Sequence, residues 1–87
     1  MTTKAPSHVQ PASASAAETI AYAAVAGIPT VEPHDRDRLG YCVWLWLTTH
    51  RDTLEQAVRS ANARLTVSHE EALKTIRDRL RESGVTV

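Results

Sequence analysis

Phenylalanine is absent from this 87-residue sequence, cysteine and methionine occur once each, and ten acidic side chains cancel ten basic ones. Each scarcity removes a class of explanation. The one cysteine, Cys42, cannot close an internal disulfide, and its place inside an apolar run predicts a small buried hydrophobe in a reducing, cytoplasmic setting. Zero net charge removes the long-range field expected of a general nucleic-acid or anionic-membrane binder. None of the three glycines belongs to a phosphate-cradling loop or a Gly-x-Ser-x-Gly turn, so neither a nucleotide site nor a strained nucleophile is expected. Metal-ligand types do occur, in His34 with Asp35 and Asp37 and in His69 with Glu70 and Glu71. Neither group has His-x-x-x-His or Cys-x-x-Cys spacing, and the acids suit helix starts better than a metal. No catalytic residue, metal, cofactor or small-molecule substrate is therefore expected. Scarce lysine and phenylalanine beside abundant Ala, Arg, Val and Thr look like the coding bias of a GC-rich bacterium.

What the chain does have is concentrated in residues 39–47, Leu-Gly-Tyr-Cys-Val-Trp-Leu-Trp-Leu, which hold both tryptophans. Charged clusters flank this run at 34–38 and 48–52, so its ends stay in water while its middle demands burial. At about half of the roughly 20 residues a spanning helix requires, the run is not expected to cross a membrane. The Ala-rich stretch at 16–26 is interrupted by Glu18 and has only Lys4 as positive charge upstream, which argues against a signal peptide.

Residues 1–14, with Pro6 and Pro11 and no apolar period, predict a disordered tail. Ser15 followed by Glu18 reads as a capping box, and Gly27 as a left-handed stop, giving a helix over 16–26 with the face Ala17, Ile20, Ala21, Ala24 and Val25. Pro29 and Pro33 fix an extended connector. Beyond Tyr41 neither Gly nor Pro recurs before Gly84. Leu39, Val43, Trp46, His50, Leu54, Ala57, Ala61 and Leu65 fall at spacings of three and four, the mark of helix. Thr48 and Thr49, with Asp52 as a second capping signal, predict a break near 48–50, giving helices over 35–48 and 50–65. A buried strand at 41–47 is the rival reading, but a single strand has nothing to pair with. Ser68 with Glu71 opens the last helix, over 69–83, whose stripe is Leu73, Ile76 and Leu80 and whose stop is Gly84. Its outer side chains, Lys74, Arg77, Asp78, Arg81 and Glu82, read as a solvated face. The expected fold is all-α: a small three- to four-helix bundle over 15–87 behind the tail.

Two functional readings follow. The stripe puts His50 on the buried side between Trp46 and Leu54, where it is either a titrating switch or a boundary residue bonded to a helix-terminal carbonyl. Residues 61–87 carry Leu65-Thr66-Val67-Ser68, then Ile76, Leu80 and Gly84. In outline this resembles the helix-turn-helix of winged-helix regulators, which implies DNA binding by a degenerate motif at 57–83. Thr66 stands where that motif has glycine, and Glu70 and Glu71 would face phosphates. The preferred reading is protein association, because an apolar run on all sides of one helix exceeds what narrow-faced neighbours can cover. The expected anchors are Tyr41, Trp44, Leu45 and Trp46, and the expected partner is a second copy or a larger protein.

Overall fold

A computed structural model describes residues 9–87, with side chains from residue 16 onward. Four helices follow one another: α1 (Val9–Val25), α2 (Pro33–Thr49), α3 (Leu54–Ser60) and α4 (His69–Glu82), with no strand among the described residues. The all-α bundle is thus the fold. Of the expected tail, residues 1–8 lie outside the described residues; from Val9 the backbone is helical, so the start expected at Ser15 falls inside α1.

Helix α1 buries Ala21, Ala24 and Val25 with Ile20 beside them, the shallow face its small residues predict. Its end does not use a left-handed glycine. Gly84 is the one glycine with positive φ among the described residues, and Gly27 serves by being small. A Cβ there would sit 2.7 Å from Arg79 Nη2, and Arg79 Nη1 donates to the Ala23 carbonyl at 3.4 Å. A cation thus sits against the carbonyl end of α1, where the helix dipole favours it.

Helix α2 starts at Pro33, just ahead of the expected 35, with extended Glu32 as N-cap. Proline loses nothing at a first helical position, whose N–H has no intrahelical partner. Leu39 and Val43 are fully buried. Gly40 lies against the Tyr22 ring of α1, where a Cβ would stand 2.5 Å from Cδ1; the missing side chain lets the two helices close on an aromatic. The expected break falls at His50, whose backbone is left-handed (φ 50°, ψ 32°) and whose N–H donates to the Trp46 carbonyl. Thr49 Oγ1 donates back to the Leu45 carbonyl at 2.7 Å, so it decorates the end of α2 rather than capping α3. The cap is Thr53, whose hydroxyl accepts from the Gln56 N–H at 3.1 Å.

Helix α3 is much shorter than the expected 50–65. Asn62 takes φ 52°, a conformation Asn tolerates better than most residues, and the chain then turns extended. Thr30 and Leu65 form an isolated antiparallel bridge, with the Val31 N–H donating to the Arg64 carbonyl at 2.8 Å and the Thr66 N–H to the Pro29 carbonyl at 3.2 Å. This pairing ties the α1–α2 connector to the α3–α4 connector. The apolar period past Ala61 is therefore not helical, although Leu65 still leans on the core. Helix α4 is as read: Ser68 accepts from the Glu71 N–H at 3.1 Å, and Ala72, Leu73, Ile76 and Leu80 are buried. Gly84 at φ 92° ends it, with the Val85 N–H reaching back to the Leu80 carbonyl at 2.9 Å.

One buried group went unread in the sequence. Asp35, expected as a helix-start acid, has a side chain fully closed to solvent between Arg38 and Arg64. Arg64 Nε donates to Oδ2 at 3.2 Å, and Arg38 pairs with Oδ1. The cover is thin, since both arginines are about half exposed. Desolvation alone would raise the carboxyl pKa; the Arg64 and Arg38 charges outweigh it and hold the group below the ordinary aspartate value. Arg38 also reaches the Asn62 carbonyl at 3.3 Å, so this clasp fastens the first turn of α2 to the α3–α4 connector.

Candidate association surface

The apolar run occupies the middle and C-terminal turns of α2, and helical geometry distributes it around the axis. Leu39 and Val43 face the core, with Leu47 packed partly against it. The four candidate residues divide in two. Trp44 and Trp46 are half-buried and pack against the core cluster, whereas Tyr41 is 51% exposed and Leu45 lies outside that cluster. The rings of Tyr41 and Trp44 meet at 5.7 Å between centroids, tilted by 37°, a geometry favourable for an aromatic pair.

Trp46 is committed within the chain. Its Nε1 donates to the Asp52 carbonyl at 2.7 Å and its rings stack on the His50 imidazole at 4.8 Å. This latch holds the α2–α3 elbow. His50 is consequently not on a buried stripe: it is exposed, and its left-handed backbone breaks the continuous helix on which the stripe was drawn. Its backbone N–H bonds a helix-terminal carbonyl, as the boundary reading supposes. Trp44 Nε1 is buried with no hydrogen-bond partner among the described residues, a cost of about 1–3 kcal/mol for a neutral group left unsatisfied.

Beside this strip runs a groove of about 260 Å³ between α2 and α3, lined by Cys42, Leu45, Trp46, Thr49, Arg51, Asp52, Ala57 and Ser60. Leu45 belongs to both the strip and the groove. Cys42 is half-buried here rather than enclosed, and burial pushes its thiol pKa up against the opposing pull of Arg38, which leaves it a weak nucleophile. The α3 side of the groove could not be read in the sequence, because the elbow that folds Ala57 and Ser60 back toward Cys42 depends on the conformation of His50.

The segment resembling a helix-turn-helix takes another shape. Eight residues, 61–68, separate α3 from α4, where that motif has a turn of three or four. Thr66 is not left-handed; Asn62 is. Between α3 and α4 lies a cleft of about 300 Å³ walled by both signs of charge, including Arg59, Arg77, Glu55 and Glu70. Arg59 is already paired with Glu55 at 3.1 Å.

No group of three His, Cys, Asp or Glu side chains among the described residues is placed to hold a metal ion. Among the same residues no helix is long and apolar enough to cross a membrane. Comparison of the chain with protein-family models, with curated proteins and with solved structures finds no match.

Proposed function

We propose that this chain is a small helical interaction module that binds another protein surface through the outer face of α2. The observation that carries the reading is Tyr41. A large aromatic side chain half open to water, in contact with Trp44 and one turn from Leu45, stands on the same helix whose opposite face forms the core. Tyr and Trp are the residues that most often supply concentrated binding energy, because they offer large apolar area with few rotatable bonds. The flanking side chains of α2, Asp37 before the strip and Thr48 after it, are exposed and polar, giving the rim expected around an apolar centre.

Placing a photoreactive benzoylphenylalanine at position 41 or 45, with position 74 on the outer face of α4 as control, tests this directly. Irradiation in the cells that make the protein is expected to give a discrete cross-linked species from 41 and 45 and none from 74. Absence of any species from 41 and 45, with the chain folded and expressed, would sink the proposal.

A further inference from the structure

We infer that residues 51–61, α3 with the elbow that leads into it, form a strap that lifts from α2 as one unit while α1, α2 and α4 stay folded. Two hinges bracket the segment. His50 at φ 50° and Asn62 at φ 52° are the non-glycine residues with positive φ among the described residues, and a left-handed backbone costs energy wherever a Cβ is present, less at Asn than at most residues. Release of the segment lets both dihedrals relax. The closed position is the one that holds the strain.

The packing of α3 points the same way. At seven residues it is too short to keep its helix unaided, and it packs on α2 and only lightly on α4, whereas α1 grips both α2 and α4. Leu54, Ala57, Val58 and Ala61 are its buried side chains, and the two alanines bury little apolar area. The groove beside Cys42 and Leu45 runs between α3 and α2, so the seat is incompletely filled. The fastenings at the two ends are unequal. Beyond Asn62 the chain is anchored by the Thr30–Leu65 bridge, by Arg64 on Asp35 and by Arg38 on the Asn62 carbonyl. At the elbow the Trp46 indole holds the Asp52 carbonyl. The strap therefore peels from the elbow and turns about Asn62, baring Leu54, Ala57 and Val58 together with the Cys42 side of α2. It moves whether or not Tyr41 meets another protein.

Native-state hydrogen exchange of the full chain, resolved by amide and repeated in low concentrations of urea, tests the strap. The amides of α3 are expected to exchange through one shared opening, about 100-fold more populated than global unfolding and with a smaller but measurable urea dependence. Ile76→Val trims a fully buried side chain of α4 and lowers the stability of the whole fold. It should speed the slowest amides of α1 and α4 and leave those of α3 as they were. Trp46→Phe removes the latch and should speed α3 exchange about fivefold, the factor that one hydrogen bond of ordinary net strength supplies. Amides of α3 that exchange only with global unfolding overturn the strap. So do α3 amides without urea dependence, which mark fraying rather than a collective opening, and so does an equal response of α3 and α4 to Ile76→Val. Unchanged α3 exchange in Trp46→Phe overturns the elbow as the end that opens.

Discussion

Leu39 and Tyr41 are two residues apart on one helix, and they stand in opposite worlds: the first is 0% exposed, the second 51%. Both are large and apolar enough to drive burial, yet only Leu39 is used by the fold. Its neighbours come from both partners of α2, with Ala21, Ala24 and Val25 from α1 and Leu54 and Val58 from α3 in the same cluster. Tyr41 lies outside that cluster, and Trp44 is its aromatic neighbour. The difference is that the fold leaves one large side chain of α2 half open to water. In the association proposal, that half-open ring and the polar residues beside it form the contact surface.

The sharpest way to break that comparison is to truncate both residues. Leu39→Ala removes a fully buried side chain and is expected to lower folding stability by about 3 kcal/mol, the usual range for such cavities being about 2–5 kcal/mol. Tyr41→Ala is expected to change the stability of the isolated chain by under about 1 kcal/mol, while removing the proposed contact. Urea denaturation of each variant at a concentration too low for association would measure both. Equal losses at the two positions would mean that Tyr41 belongs to the core after all.

A second comparison lies between Trp44 and Trp46, of which sequence spacing puts only Trp46 on the apolar stripe. The indole of Trp46 closes the elbow through Asp52, whereas that of Trp44 has no partner among the described residues. Phenylalanine keeps most of the ring and removes the N–H, so it isolates this difference. Trp46→Phe is expected to cost about 1 kcal/mol through the orphaned Asp52 carbonyl and the lost bond. Trp44→Phe relieves an unsatisfied donor and should be neutral or slightly stabilising. The same denaturation experiment reads both, and a larger loss at Trp44 would reverse the assignment of roles.

The contrast also explains what could be read from the chain. Signals with local chemistry were legible: Ser68 with its bond to Glu71 and Gly84 as the final stop act within a few residues of themselves, whereas Pro33, read as connector, is the first residue of α2. The break near His50 was legible from Thr48 and Thr49, although its cap, Thr53, lies a turn beyond the expected Thr49. The end of α3 was not. Ala61 and Leu65 keep helical spacing, but the backbone between them leaves the helix at Asn62 to pair with Thr30, 35 residues earlier than Leu65. No local signal encodes a pairing of that separation. The candidate surface was half legible: spacing separates Leu39 and Val43 from Tyr41 and Leu45, but the sequence does not say which indole turns back to close the elbow.

The clasp at Asp35 is the clearest case of a non-local group, and it sets the smallest of the expected effects. Arg64 lies 29 residues from Asp35, so nothing in the neighbourhood of either announces the pair. The folded-state pKa of Asp35 is depressed by Arg64 and Arg38. Its ionised form therefore stabilises the fold at any pH above the ordinary aspartate value, about 3.9, and that contribution disappears as pH falls through the lower folded-state value. Half-exposed arginines are screened by water and salt, which keeps the effect modest. Denaturation midpoints of the native chain and of Asp35→Asn, followed from neutral to acid pH, should converge as the acid limit is approached, because the native chain alone loses the carboxylate contribution. High salt should shrink the gap at neutral pH. Parallel curves across the acid range would show that Asp35 is held by burial and not by charge.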